Sequence, residues 1–251
     1  MRHDGLMTTR WVTPWWADRT TSTGRADVLG SSAPTRLLDW ESPLLRELTA
    51  QVTPAGSLAM LQQAHRLVAR RVRPVYAVDD ERPASRTLAL GRGSCSQRLA
   101  ALEAIARSLG IATRVRGLLI DGTFWYPRFP RLRFAVPDVV VLAWPEFMIG
   151  DAWVPASDLF AADGPTATTG FSNTTGETLF DALARTTVDW DGATSTPGEC
   201  SGCDLSGEVV GDLGRFDSRD ELFAAHGQTL NRGVRTLSGP VLGRWSAGAT
   251  S

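Results

Sequence analysis

Cys95 is the residue of this chain best placed for nucleophilic chemistry. It follows Gly93 and Ser94, and Gln97 stands three residues after Ser94, which is the pattern of a capping box. The pattern predicts a helix with Cys95 in its first turn, where free amide donors and the helix dipole stabilise a thiolate. We therefore expect a thiol of lowered pKa, suited to attack on a carbonyl carbon.

The residues that follow predict how this helix packs. Apolar residues recur at spacings of three and four, which predicts a helix over 95–109 with one buried stripe and the thiol at its head; these residues are Leu99, Leu102, Ala106 and Leu109. Gly110 ends the pattern. A cysteine that serves only for packing stays open as an alternative, because free cysteines are among the most buried residues.

The surroundings of Cys95 resemble the core of the transglutaminase-like superfamily, a group of papain-like thiol enzymes. The Gly-Ser-Cys start of the helix and the segment 109–114 match its cysteine helix and following turn, and 139–155 is similar to its hairpin. The resemblance covers about 36–160. It implies an α+β fold in which the cysteine-bearing helix packs on an antiparallel sheet.

The chain departs from the family pattern at the partners of the cysteine. Leu142 stands where the family has its catalytic histidine, and Ser157 stands where it has the orienting aspartate, with Asp158 one residue later. A shift of one residue turns a strand side chain to the opposite face, so Asp158 could serve only if the strand has ended. Leucine cannot exchange protons with a thiol.

Several groups could replace the missing base. His65 and His226 each lie on an apolar face of a predicted helix, a position more typical of a core histidine than of a base, whereas His3 lies in an irregular N-terminal segment. Glu146 and Asp121 are the carboxylates nearest in sequence to the expected cleft. Glu146 should share a strand face with Leu142 and Trp144, although an ordinary exposed strand residue is also consistent with its position.

Composition excludes several functional classes. The chain has 251 residues, is 43% hydrophobic, carries a formal net charge of −1 and contains no lysine. Lysine Schiff-base chemistry and a P-loop are therefore excluded, and the charge does not favour nucleic-acid binding. The use of arginine without lysine is typical of a GC-rich bacterial coding sequence. No apolar run is long enough to span a membrane, and the first residues lack a signal-peptide core, so we expect a cytoplasmic protein.

Cys200 and Cys203 form a C-x-x-C pair without a second Cys or His pair to complete a zinc site. We expect neither a metal nor a cofactor. A disulfide, a dithiol near the cleft and two inert thiols stay open as alternatives.

The order of patterns predicts three regions: an N-terminal arm over 1–35, the core over 36–160 and a C-terminal extension over 161–251 packed on it. Within them we expect helices, strands and loops by periodicity and by Gly and Pro content. The expected helices cover about 42–50, 57–73, 95–109, 177–186 and 219–230; the strands cover about 111–121, 138–149 and 152–156; the stretches between 73 and 95 and over 161–180 are expected loops.

Aromatic residues and arginines alternate over 124–134, between two predicted strands. Trp125, Arg128 and Arg131 could bind a carboxylate or phosphate on an organic substrate, or could simply bridge the strands. Leu142 and Trp144 are expected to line the same cleft.

Two functions follow from these expectations. The first is acyl transfer through a Cys95 acyl-enzyme, with amide or ester formation, cyclisation or hydrolysis as outcomes, in bacterial small-molecule or peptide biosynthesis. Its substrate would be a small molecule, a peptide or a carrier-bound acyl group. The second is a binding scaffold that has lost its catalytic groups, with Leu142 and Trp144 lining an apolar groove. The sequence favours the first.

Overall fold

The computed structural model describes residues 28–77, 79–131, 133, 136–161, 169–174, 176–193 and 202–229. Three helices precede the cysteine helix: α1 (Pro43–Thr49), α2 (Ser57–Arg71) and α3 (Ala84–Leu90). Two short parallel strands, β1 (Arg73–Pro74) and β2 (Arg92–Gly93), join the end of α2 to the start of the next helix.

The cysteine helix, α4 (Cys95–Ser108), is buried along almost its whole length. Its start is fixed by β2, because the Gly93 carbonyl accepts a hydrogen bond from the Val75 amide at 3.1 Å. A Cβ at Gly93 would lie 2.8 Å from the Thr87 side chain and 3.1 Å from that of Gln97. Glycine therefore allows β2 to pass close to α3 immediately before the helix begins.

Four antiparallel strands form the main sheet in the order β5-β4-β3-β6. They are β3 (Thr113–Asp121), β4 (Val139–Ile149), β5 (Ala152–Pro155) and β6 (Val209–Phe216). Strands β4 and β5 form a hairpin that turns at Gly150, whose φ of 61° lies in the left-handed region. In the register of β3 and β4, Leu142 lies opposite Leu118.

Alternating residues of β3 and β4 belong to two apolar clusters. Leu118, Leu142 and Trp144 pack in the larger cluster, which contains the buried residues of α4. Val115 and Val141 pack in a smaller cluster with Leu222 of α6 (Arg219–His226). The sheet is thus covered on both faces, and the larger cluster brings Leu142 into the core that surrounds the cysteine helix.

A buried ion pair joins α6 to the cysteine helix. The Arg219 guanidinium donates hydrogen bonds to Glu103 of α4, to Ser96 Oγ at 3.1 Å and to the Ala143 carbonyl of β4 at 3.0 Å. Both charged side chains are fully buried. Arg219 therefore fixes the distance between the start of α4 and the part of β4 that carries Leu142.

The residues after α6 continue along the open edge of β4. Thr229 Oγ1 accepts the Val141 amide hydrogen at 2.9 Å, and Gln228 accepts that of Asp80 at 2.8 Å. Gln228 also donates to Glu81 at 2.5 Å. This short segment links the loop before α3 to β4.

The structure confirms most predicted elements and corrects others. The stretch between 73 and 95, expected to be a loop, contains α3 and the short strands β1 and β2, and strand β6 was not predicted. The helix expected over 177–186 is only α5 (Leu179–Ala182), and the helix expected over 219–230 ends at His226. Two glycines and a mostly half-buried pattern conceal the period of β6, which is fixed by pairing with β3. Most of the N-terminal arm, residues 1–27, lies outside the described residues.

In the part of the chain that the structure describes, no helix has both the length and the apolar character needed to cross a membrane.

We expect Arg219→Met to lower the free energy of unfolding by about 3–5 kcal/mol, because it leaves Glu103 buried without its partner. Burial already raises the pKa of Glu103 against the opposing effect of Arg219. In the variant Glu103 should hold a proton in the folded state, so the loss of stability should grow from pH 5 to pH 8. Urea unfolding at pH 5 and at pH 8 measures the free energy of unfolding of both proteins.

A double variant, Glu103→Leu with Arg219→Met, should recover most of the lost stability. Arg116→Met is the matched control, since Arg116 pairs with the more exposed Asp191 and Asp212; its cost should be about 1 kcal/mol or less. If Arg219→Met and Arg116→Met lower the free energy of unfolding equally, the structural role of the buried Arg219–Glu103 pair is contradicted.

Candidate functional site

The capping box places Cys95 at the head of its helix, as the sequence predicts. Ser94 Oγ accepts the Gln97 amide hydrogen at 3.2 Å, and Gln97 Oε1 accepts that of Ser94 at 3.0 Å. Gln97 also binds the Asp79 carbonyl at 2.7 Å and Arg82 at 3.0 Å. The start of the helix is therefore held by its own capping box and by the loop that carries Asp79 and Arg82.

Cys95 opens onto a cavity of about 290 Å³, which we call the Cys95 cavity. Four of the residues proposed from the sequence line it: Cys95, Leu142, Trp125 and Arg128. The other described lining residues are largely apolar or aromatic and include Tyr76, Phe124, Phe129, Val140, Phe171, Thr178, Leu179 and Thr229. The cavity has the apolar walls and few polar groups that are typical of a small-molecule site.

Two of the residues expected to line the cleft are not among the cavity's lining residues. Trp144 is buried in the core with its ring at right angles to that of Trp190, at 5.6 Å. Arg131 is exposed. Trp144 shares the strand face of Leu142, as expected, but the cavity ends before it.

The thiol is not activated in the way that the helix start predicts. Burial raises the pKa of Cys95 to about 12, and Asp181 raises it further, while Arg98, Arg219 and a hydrogen bond from the Phe180 main chain lower it. The loss of hydration outweighs both arginines and the Phe180 hydrogen bond, because a thiolate in an apolar environment loses its water. This corrects the expectation of a lowered pKa.

His65 serves the core rather than the thiol. Its Nε2 lies 2.7 Å from the Phe180 carbonyl, its ring stacks on the Phe180 ring at 4.2 Å, and Nδ1 is buried with no protein partner. Because a carbonyl only accepts, Nε2 carries the proton. Burial lowers the pKa of His65 to about 4, which makes it a poor base at neutral pH.

One helical turn lies against both Cys95 and His65. In this segment, which we call the Phe180 turn (residues 178–181), the main chain of Phe180 binds both side chains. Arg98 holds the turn through Asp181, with bonds of 2.6 and 2.9 Å, and through Thr178 Oγ1 at 3.0 Å. The turn that contacts Cys95 and His65 is therefore held to the cysteine helix by Arg98.

The two candidate carboxylates near the sheet have structural partners. Glu146 is buried between Arg114 and Arg215, with its oxygens 2.5 and 3.0 Å from their nitrogens. Asp121 accepts the Thr123 amide hydrogen at 2.8 Å, which caps a short 3-10 helix. Neither lines the Cys95 cavity, so neither is placed to take a proton from the thiol.

Asp158 and His226 also lie away from the lining residues. Strand β5 ends at Pro155, so Asp158 falls in a 3-10 helix, where burial raises its pKa and Asp189 raises it further. His226 ends α6 with its ring at right angles to that of Phe216, at 5.6 Å, and burial lowers its pKa. None of the proposed bases is therefore among the described lining residues of the Cys95 cavity.

Sequence reasoning missed the groups that surround the sulfur from outside its own helix. Phe180, Asp181 and Arg219 come from the predicted C-terminal extension, where the sequence indicates no link to Cys95. Thr178 with an acid three residues later is a helix-start signal, and it does cap α5. This signal predicts the helical turn, but it does not predict that the turn lies beside the thiol.

The described residues contain no group of three or more His, Cys, Asp and Glu arranged to hold a metal ion. Cys203 is in a disulfide bond, and its sulfur lies 3.2 Å from Thr186 Oγ1. Cys200 lies outside the described residues. Cys95 is a free thiol.

The low pKa of His65 predicts a pH-dependent stability. Below its ordinary pKa of 6.5 the unfolded chain binds a proton that the folded protein excludes down to about pH 4, so stability falls as the pH falls. His65→Gln, whose amide nitrogen lies near the position of Nε2 and keeps a donor for the Phe180 carbonyl, should reduce the loss between pH 7 and pH 5 by about 2 kcal/mol. Urea unfolding at the two pH values gives the loss, with His226→Gln, at a less buried histidine, as control. An unchanged loss in His65→Gln would contradict this account.

The site can now be compared with known proteins. Residues 44–157 match the family model of the transglutaminase-like superfamily. A search of solved structures found a crystal structure from Cytophaga hutchinsonii, named "Putative Cysteine Protease", with 16% identity and a TM-score of 0.36; the match covers 64% of this chain and 45% of that one. The chain spans less than half of that protein. A search of curated proteins found no significant match. The expected α+β fold, with its cysteine helix and antiparallel sheet, is confirmed, and the segment 44–157 is similar to the transglutaminase-like superfamily.

Proposed function

We propose that the protein binds an apolar small molecule, or the acyl group of a larger one, in the Cys95 cavity. The observation that carries this proposal is the composition of the cavity wall. Leu142 and Cys95 line the cavity together with aromatic side chains, and no histidine is among its described lining residues. The sequence favours catalysis over binding, whereas the apolar surroundings of the thiol support binding.

The thiol is poorly prepared for amide cleavage. With a pKa of about 12, Cys95 is ionised to roughly one part in 10⁵ at pH 7, against a few per cent for an ordinary thiol. Amide cleavage also needs an acid to protonate the departing amine. His65 is bound to the Phe180 carbonyl and Glu146 to two arginines, so neither meets this need.

The lining indicates the chemical class of the ligand. Tyr76, Phe124, Trp125, Phe129 and Phe171 offer aromatic surfaces suited to an acyl chain or a flat ring. The polar groups of the wall include Arg128 and Asn173, which are joined at 3.0 Å. We infer a ligand that is mainly apolar, with one polar end such as a carboxylate.

Filling the cavity should abolish binding. Val140 lines the cavity, and Val140→Trp should weaken the binding of decanoate or 2-naphthoate at least tenfold by occupying their space. Isothermal titration calorimetry measures the affinity, and the matched control is Val210→Trp, at a residue that is 48% exposed on β6. Equal affinities in both variants, or no binding of either probe to the native protein, would exclude this ligand class.

A second function is favoured by the position of the sulfur. Cys95 lies at the cavity wall with a hydrogen bond from Phe180, so a bound thioester could exchange onto it. In this step a bond forms between the acyl carbon and Sγ, the bond to the original sulfur breaks, and the Cys95 proton passes to the departing thiolate. A thiolate leaves without prior protonation, which makes this exchange less demanding than amide cleavage.

Intact-mass analysis after incubation with a decanoyl thioester distinguishes the two functions. Binding alone leaves the mass of the protein unchanged, whereas exchange adds the mass of one acyl group. The variant Cys95→Ser, which has no thiol at this position, should gain no acyl group. Leu142→His should raise adduct formation or ester hydrolysis by about 10²-fold or more if the new ring can act as a base. If neither the native protein nor Leu142→His forms an adduct, the exchange function is excluded and binding stays.

A further inference from the structure

The charge nearest to the thiol on its own helix is Arg98. It follows Cys95 by three residues, so the two side chains lie on neighbouring positions of one helix face. The Arg98 side chain is only 1% exposed, and its guanidinium lies over the Phe180 ring at 4.2 Å from the centroid. A buried cation in this position would favour the thiolate if nothing neutralised it.

Asp181 neutralises that cation. Its two oxygens accept both terminal nitrogens of Arg98, at 2.6 and 2.9 Å, and Thr178 Oγ1 donates to Asp181 at 2.5 Å. Arg98 lowers the pKa of Asp181 despite burial, so the carboxylate is charged at neutral pH. The same pair fixes the Phe180 turn, whose main chain contacts the sulfur.

The other charged groups around Cys95 do not replace this pair. Arg219 acts on the thiol from α6 but is bound to Glu103, and His65 of α2 is neutral. Of the charged residues that line the cavity, Arg128 binds Asn173, and the Asp80 amide binds Gln228. Among the charges that act on the thiol, Arg98 lowers and Asp181 raises the pKa of Cys95, and the two side chains form one ion pair.

We propose that Asp181 is a positioning residue that controls the reactivity of Cys95, by neutralising Arg98 and by anchoring the Phe180 turn over the sulfur. This role concerns the thiol and holds whether or not the cavity binds a ligand. Loss of the Asp181 charge leaves the Arg98 cation to stabilise a thiolate. Loss of the Arg98 charge has the opposite effect.

The test is the rate of Cys95 alkylation by iodoacetamide between pH 7 and pH 10, followed by peptide mass spectrometry on the full chain. Asp181→Asn keeps an oxygen for Arg98 and should speed the reaction at least threefold at pH 8. One unit of lowered pKa gives tenfold more thiolate, but the thiolate is then roughly threefold less nucleophilic. Asp181→Glu should restore the native profile.

The matched control is Asp191→Asn, which removes a carboxylate from another bidentate arginine pair, that with Arg116. This substitution should leave the pH dependence of Cys95 alkylation unchanged. Calorimetric binding of decanoate, measured on each variant, separates a failure of this proposal from a failure of the proposed ligand site.

Arg98→Gln keeps the proposal testable if Asp181→Asn fails to fold, because the Asp181 side chain is 36% exposed and can be hydrated without its partner. This variant should react more slowly than the native protein at every pH. The double variant, Arg98→Gln with Asp181→Asn, should return to the native rate. A folded Asp181→Asn with the native profile, an Arg98→Gln that reacts faster, or a double variant as fast as Asp181→Asn would each overturn the proposal.

Discussion

The buried contact between Arg219 and the cysteine helix determines the shape of the site. Arg219 binds Glu103 and Ser96 on α4 and the Ala143 carbonyl on β4, so one side chain joins three elements. Ser96 follows Cys95, and Ala143 follows Leu142. By binding Ser96 and Ala143, Arg219 fixes the positions of the two cavity-lining residues Cys95 and Leu142. Because a buried guanidinium must keep its acceptors, these elements cannot separate without a large loss of free energy.

Within this frame, the reactivity of the thiol depends on a balance between hydration and charge. Arg98 and Arg219 favour the thiolate, yet burial and Asp181 outweigh them. A helix start is therefore insufficient to activate a cysteine whose sulfur is desolvated. The main chain of the Phe180 turn also forms hydrogen bonds with the thiol and with the His65 ring.

Much of the fold could be predicted from the sequence, and the features that failed have a common physical cause. The capping box at Ser94, the hairpin at Gly150 and the apolar stripe of α4 are local signals, and the structure confirms them. Strand β6 and the covering of Cys95 depend on contacts between residues far apart in the chain. The expected low pKa of Cys95 was wrong for the same reason, since local sequence gives the helix dipole but neither the burial of the thiol nor the charge of Asp181 beside it.

The wall of the Cys95 cavity draws on two parts of the chain. Cys95, Trp125 and Leu142 come from the segment 44–157, whereas Phe171, Thr178, Leu179 and Thr229 lie beyond it. Thr229 reaches the cavity by accepting the Val141 amide hydrogen at the open edge of β4. The size and polarity of the pocket can therefore change through substitutions that leave the sheet and the cysteine helix intact. The residues that follow the segment 44–157 thus set part of the shape and polarity of this cavity without belonging to its central sheet or its cysteine helix.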